Sequence, residues 1–414
     1  MCGGAGARLW PFSRPSFPKQ LLPIVGDESM LQQTAARVAS GEFAAPVLVA
    51  GYEHGAVAEQ QLRDIGISPA AILLEPEPRN TAAVAALASE WALATGLDEL
   101  LLLMPADHVI LDRAAFADAL RTGTAPADGG AIVTFGVRPN DPNTQYGYIE
   151  ADVRSAADPV HSVLGFVEKP DLETATRIYR SGRHYWNSGI LMARASSLRD
   201  ELAKHLPATA RAIARAFEDR AVDGIFIRPE QQSFNSVENI SIDYAVMQKT
   251  DRAFVVPVDM GWSDVGSWFT VWSNSEKDEQ NNVTSGDVLI KDTRNSLVRS
   301  HGAATIVTIG LEDVVVVGTR DAVLVAPLSR ANEVQEIARQ LANSGRTCAT
   351  ISSTAADAPR AALLIEEAEA APPSCAIQHP AADAGDLPLR IEGQRGPSLD
   401  DPQIVPVEEH YGHC

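Results

Sequence analysis

Between Pro46 and Pro257 the chain alternates short apolar runs with longer helical stretches, whereas beyond Asn281–Asn282 apolar runs follow one another closely with no helix between them. The first pattern is that of a sheet covered by helices. Its strands are read from "PVLVAG" (46–51), "AILLEP" (71–76), "LLLLMP" (100–105), "AIVTFGV" (131–137), "VLGFVEKP" (163–170) and "AFVVPV" (253–258). Residues 81–95, 113–121, 172–180 and 196–206 have the length and apolar spacing of helices packed on that sheet. The expected fold is α/β, a doubly wound, Rossmann-like and mainly parallel sheet. The second pattern, "DVLIKD", "NSLVRS", "ATIVTIG", "DVVVVGT" and "AVLVAP", predicts a small all-β unit of the parallel β-helix type, with one helix after it over 333–345. The chain thus divides into residues 1–280, 281–345 and 346–414. The last part has no sustained period and carries 3 Arg against 11 Asp plus Glu in residues 351–414, so it reads as largely disordered.

Charge narrows the function. A formal net charge of −20 over 414 residues argues against nonspecific binding to nucleic acid or to an anionic membrane surface, both of which need a positive field. Anionic ligands therefore require positive charge concentrated locally. Cys2, Cys348, Cys375 and Cys414 show no metal-ligand spacing, which points to a reducing, cytoplasmic setting. There is no apolar run of about 18 residues and no signal-peptide pattern, so neither a membrane span nor export is expected.

The stretch "GGAGARLWPFSRPSFPKQ" (3–20) concentrates such charge. Gly3, Gly4 and Gly6 let backbone N–H groups approach a polyphosphate closely, and Arg8 and Lys19 supply a planar fork and a compact point charge. A surface turn with two solvated cations is the other reading. In "LLLLMPADHVI", Asp107 stands just beyond the carboxyl end of an apolar strand, where ligands bind in open α/β sheets. A carboxylate there suits Mg2+, which bridges one or two carboxylates to phosphates; a turn-capping Asp fits the same pattern. A second carboxylate, Asp264, lies in "GWSDVGSW", where Trp262 and Trp268 also read as core.

Eight segments occur in a telling order: "GGAGARLWPFSRPSFPKQLLP", "EPEPRNTAAV", "MPADHVI", "TQYGYIE", "FVEKP", "YWNSGI", "SIDYAVM" and "WSDVGSW". Over roughly residues 2–345 the chain resembles the mannose-1-phosphate guanylyltransferases of the sugar-phosphate nucleotidyltransferase family. The resemblance implies transfer of GMP from GTP to α-D-mannose 1-phosphate, with Mg2+ as cofactor. It assigns the triphosphate to Arg8 and Lys19 and the metal to Asp107 and Asp264. It gives the nucleotide base to Glu75, Arg79 and Asn80, although Asn80 or Thr81 equally reads as a helix N-cap. The sugar phosphate falls to Gly147, Glu168, Lys169, Asn187 and Asp243. Adjacent strand residues point to opposite faces, so Glu168 and Lys169 reach one ligand only if one of them leaves strand geometry, which Pro170 permits. An exposed ion pair, a turn Asn with a turn Gly, and a helix-capping Asp243 are the plainer readings of these residues.

Three departures from the family stand out. Only Met1 and Cys2 precede the glycine loop where members carry an apolar strand, so a chain extended at its N-terminus is expected to be more stable and more active. Ala7 stands where Ser or Thr is usual, which removes a hydroxyl from the phosphate site. His379, His410 and His413 show no cupin metal pattern, and no isomerase activity is expected. The β unit is expected to pack on the catalytic part or to mediate self-association as a homodimer. Another hexose 1-phosphate with another nucleoside triphosphate, or a catalytically weak sugar-nucleotide binder, are the competing readings.

Overall fold

A computed structural model describes residues 6–96, 98–153, 158–302 and 304–352. Gly3, Gly4 and the tail from residue 353, with its three histidines, lie outside the described residues. The part before the β-helix is built mainly on two sheets. One has the order β1 (Val47–Gly51), β2 (Ala71–Glu75), β10 (Phe226–Arg228), β9 (Ala221–Asp223). The other runs β3 (Leu100–Leu103), β8 (His184–Arg194), β5 (Ile132–Val137), β11 (Ala253–Val258), β7 (His161–Glu168), β6 (Gly147–Ala151). All six strands expected from apolar runs are present.

One expectation needs correcting: the sheet is mixed, not mainly parallel. β1 with β2, β2 with β10 and β5 with β11 pair in parallel, but β8 runs antiparallel to β3, β5 and β6, and β7 antiparallel to β6 and β11. An apolar run signals burial on both faces and carries no information about direction. The strand that reverses the sheet, β8, reads "HYWNSGILMAR", and its Asn-Ser-Gly looks like a turn. In the fold those residues sit inside the strand, at a bulge opposite Thr134–Gly136, with Gly189 at φ 69°.

Helices α1 (Met30–Ala36) and α2 (Gly55–Asp64) flank the first sheet. The alanine-rich α3 (Asn80–Ala94) is buried from Ala82 through Ser89, and its small side chains let it pack against α6 (Ala195–His205) and α7 (Pro207–Glu218). Helix α4 (Arg113–Asp128) runs past the expected end at 121, with Pro126 in its last turn, and packs on β5, β8 and β11. Helix α5 (Leu172–Ser181) is amphipathic, and the short α8 (Gln231–Asn235) packs on α7. A π-helical turn, Asp243–Met247, precedes β11; such turns recur at functional sites.

Beyond α9 (Trp268–Asn274) the chain forms a short parallel β-helix, as expected. One face is β13 (Val283–Ser285), β15 (Leu297–His301) and β17 (Val314–Thr319) in parallel, closed by antiparallel β18 (Val323–Pro327); the other is β14 (Val288–Lys291) beside β16 (Ile306–Ile309). Helix α10 (Val334–Asn343) follows. Leu297, Val315, Val317 and Val334 share one apolar cluster with Leu9, Trp10 and Phe12 of the glycine loop and with Trp268. Each such buried side chain contributes about 1.5–3 kcal/mol. The β-helix is thereby packed directly against the loop that carries Arg8 and Lys19.

Candidate active site

Two minimal strands bring the paired carboxylates together. β4 (Val109–Ile110) follows the turn that holds Asp107, β12 (Trp262–Ser263) precedes Asp264, and the two pair antiparallel with Trp262 opposite Ile110. Lys19 lies between them. Its Nζ is 2.9 Å from Asp107 Oδ2 and donates to the Asp264 carbonyl at 2.7 Å. Arg8 Nη2 stands 3.9 Å from Asp264 Oδ2, with about a third of its side chain open to solvent. Thus Arg8, Lys19, Asp107 and Asp264, scattered over the sequence, form one charge-balanced group. Gly6, at φ 57°, makes this approach feasible: a β-carbon there would meet Ser13 Oγ at 2.5 Å and Lys19 Cβ at 2.8 Å.

Electrostatics follow from burial. Desolvation pushes the Asp107 carboxyl up, but the Lys19 ammonium and His108 outweigh it and hold it below its ordinary range. Burial pushes the adjacent His108 imidazole down, and its Nδ1 accepts from the Trp262 indole at 3.2 Å. Tyr146 donates its hydroxyl to Asp264 Oδ1 at 3.1 Å, and burial together with that carboxylate drives the phenol upward. Sequence reasoning missed Tyr146 and His108. The signal available was their adjacency to Gly147 and Asp107 within segments already singled out.

A second group forms at the end of β7. Lys169 leaves strand geometry at φ 43°, and its ammonium reaches Glu168 Oε1 at 2.9 Å. Glu168 pairs with Gly147 across β6 and β7, and its carboxylate fills the space a Gly147 β-carbon would take. Asn187 Nδ2 donates to Asp243 Oδ1 at 2.7 Å, while its own Oδ1 accepts from the Gly189 N–H at 3.1 Å. Burial, reinforced by the Glu168 carboxylate, pushes Asp243 up. Asp243 therefore faces Asn187 instead of capping a helix, and Asn187 is a strand residue rather than a turn residue.

Glu75, Arg79 and Asn80 join neither group by a hydrogen bond or ion pair among the described residues. Glu75 ends β2, is buried, and is pushed up to about 7 by desolvation; its Oε1 has no hydrogen-bond partner among the described residues. Arg79 Nη2 donates to the Asn235 carbonyl and to Glu77, both at 2.8 Å, leaving a buried Nε unpartnered among the described residues. Asn80 opens α3 at φ 67°, and its Oδ1 accepts from the Thr81 N–H. The Thr81 hydroxyl accepts from Ile242 N–H at 2.9 Å, which links this corner to the turn bearing Asp243.

A nucleotidyl transferase family model matches residues 1–281, which contain both groups and the Glu75–Asn80 corner. The chain belongs to the nucleotidyl transferase family. Residues 286–341 of this nucleotidyl transferase match the MannoseP isomerase/GMP-like beta-helix domain. It is 48% identical over 350 residues to the xanthan biosynthesis protein XanB of Xanthomonas campestris pv. campestris, covering 84% of this chain and 74% of that protein. It is 41% identical over 351 residues to a mannose-1-phosphate guanylyltransferase of Escherichia coli K12, covering 84% of this chain and 73% of that protein. Among solved structures it is similar to a Thermus thermophilus protein described as a mannose-1-phosphate geranyltransferase. That likeness has a TM-score of 0.72 at 33% identity and covers 83% of this chain and 98% of the other.

No helix among the described residues of this nucleotidyl transferase is long and apolar enough to cross a membrane.

Proposed function

We propose that this enzyme transfers GMP from GTP to α-D-mannose 1-phosphate, forming GDP-mannose and releasing pyrophosphate. The observation that carries the reading is Lys19, buried and held between Asp107 and Asp264 beside the Arg8 guanidinium. These cations are positioned to stabilise negative charge on a triphosphate as it reacts. An oxygen of the sugar phosphate attacks the α-phosphorus, and the bond from that phosphorus to the pyrophosphate oxygen breaks. The attacking oxygen is already ionised, so no Ser, His or Cys nucleophile and no proton transfer is needed, and positioning supplies the rate.

The pair Asp107 and Asp264 fits a divalent cation. Both are hard oxygen donors, and no third His, Cys, Asp or Glu among the described residues completes an all-protein cage. That is the donor set Mg2+ takes when water and phosphate fill the rest of its shell. Mg2+, when bound there, supplies charge neutralisation between two anionic substrates.

Glu168 and Asn187 present an acceptor and an amide to sugar hydroxyls, Asp243 orients Asn187, and Lys169 supplies the cation for the sugar phosphate. Glu75, with Arg79 and Asn80 at the entrance to α3, presents a carboxylate to the N1–H and amino group of guanine. The names of the E. coli and Xanthomonas relatives support the substrate pair and a role for GDP-mannose in polysaccharide assembly. The reading includes a cytoplasmic setting, where GTP is available. Its test is Mg2+-dependent pyrophosphate release from GTP and mannose 1-phosphate, run beside ATP, UTP and glucose 1-phosphate. Turnover led by the GTP and mannose 1-phosphate pair is expected; a different leading pair, or none, overturns the assignment.

A further inference from the structure

The glycine loop and the β-helix exchange buried arginines. Arg14 leaves the loop and enters the β-helix side with its side chain wholly out of solvent. Its two Nη atoms reach Asp321 Oδ2 at 2.5 Å and Oδ1 at 2.8 Å, a bidentate pair. Nη2 also donates to Thr319 Oγ1 at 3.2 Å and Nη1 to the Ile351 carbonyl at 2.5 Å. In the opposite direction, Arg299 of β15 donates to the carbonyls of Pro23 and, at 2.8 Å, of Ile24. Its guanidinium lies 4.5 Å from the centre of the Phe12 ring. The loop indole of Trp10 donates to the Cys348 carbonyl at 2.9 Å, and the Ser352 N–H donates to Ser16 Oγ at 2.7 Å.

These contacts flank Lys19 on both sides along the chain and begin two residues after Arg8. Arg8 and Lys19 lie on a segment, residues 6–24, held by no strand ladder beyond one Arg14–Phe17 bridge. Tertiary contacts must therefore fix it, and those that Arg14 makes with the β-helix and Arg299 makes with the loop carry charge. Resting on the proposed transfer reaction, we infer that Asp321 and Arg299 of the β-helix are positioning residues for that reaction. They act through the loop: Asp321 anchors Arg14, Arg299 fixes Pro23–Ile24, and together they hold the Lys19 ammonium at the reacting phosphate. The β-helix is then part of the catalytic apparatus and not only a neighbouring unit.

The experiment uses the full chain and compares D321N, D321E and R299K with E312Q, which alters an exposed β-helix pair with Arg294. Kinetics are taken well below each variant's melting temperature, on whichever sugar 1-phosphate and nucleotide pair the parent enzyme turns over fastest. D321N is expected to lower kcat about tenfold or more while KM for the nucleotide changes less than about threefold, since a misplaced loop loses transition-state contacts. D321E restores most of kcat, and E312Q leaves it unchanged. R299K, which keeps a cation beside Phe12 but loses the fork, shows the same split should D321N fail to fold. Acylation of Lys19 by an amine reagent, read by mass spectrometry, needs no turnover and rises several-fold in D321N or R299K. Folded variants with parental kcat and parental Lys19 reactivity overturn the inference. Parental turnover of a pair other than GTP and mannose 1-phosphate overturns the functional reading alone.

Discussion

The carboxylate of Glu168 occupies the volume that a β-carbon on Gly147 would fill. The two residues are directly opposed in the β6–β7 ladder, so the backbone pairing stays and the Glu168 carboxylate must swing aside. Gly147→Ala therefore displaces Glu168 while leaving the Lys19 group intact. KM for the sugar phosphate is expected to rise about tenfold, with KM for the nucleotide nearly unchanged, the signature of lost ground-state binding. Steady-state kinetics with each substrate varied in turn check this, and an equal rise in both constants contradicts it.

Lys19→Met removes the cation between Asp107 and Asp264. Loss of one preorganised charge donor costs about 100-fold to 1,000-fold in kcat. Stability falls too, by about 1–3 kcal/mol, because the Asp107 carboxylate loses its partner in a partly buried site. Single-turnover rates and urea melts measure the two effects separately. A variant retaining a tenth of parental kcat would place the key cation elsewhere.

Tyr146→Phe deletes the hydroxyl that donates to Asp264 Oδ1. A hydrogen bond to a charged group is worth about 1.5–3 kcal/mol, so kcat/KM is expected to drop about 10-fold to 100-fold. The ring remains packed edge-on against Trp186 and Trp262, so the loss of folding stability stays within the same range of about 1.5–3 kcal/mol. Parental kinetics in this variant would show that the Gly266 N–H, which donates to the same oxygen at 3.0 Å, orients Asp264 without Tyr146.

Glu75 makes stability depend on pH in a definite sense. Burial raises its carboxyl from 4.5 to about 7 in the folded chain. Between those values the folded state holds more protons than the unfolded one, so this contribution is full below the unfolded value and is lost as pH rises through about 7. The difference corresponds to about 3 kcal/mol at most. Glu75→Gln removes it, and the melting temperature of the variant relative to the parent is expected to climb from pH 5 to pH 8. A relative melting temperature that stays flat over that range would show that Glu75 titrates normally. GTP affinity measured on the same variant should fall more at pH 8 than at pH 6, because only the ionised carboxylate offers two acceptor oxygens to the N1–H and amino group of guanine.

Much of this was readable from the chain before any fold was known. Strand positions follow from apolar runs, which are buried on both faces in β2 and β5 while β7 leaves Leu164 exposed. The β-helix follows from closely spaced runs with no room for helices. Asp107 and Asp264 are candidates because one stands beyond an apolar strand end and the other amid Trp and Gly, where a capping or core residue fits equally until the family's order of segments is considered. Asn187 was harder: Asn-Ser-Gly has the composition of a turn, and only the pairing of β8 with β5 turns it into a bulged strand that aims the amide at Asp243.

Arg8 and Arg14 mark the boundary between the two kinds of knowledge. They have the same charge and sit six residues apart in one loop, and the family resemblance assigns a role to Arg8 alone. Local pattern determined that this loop is rich in glycine and cations, that acidic residues end nearby strands, and that eight segments fall in one family's order. Only the tertiary structure decided that Arg8 faces Asp264 while Arg14 is buried on Asp321, 307 positions away. It likewise joined Asp107 to Asp264 through β4 and β12. The reason is physical: burial periodicity and turn chemistry are set by neighbours along the chain, whereas the partner of a charged side chain is set by which distant surfaces the packed core brings into contact.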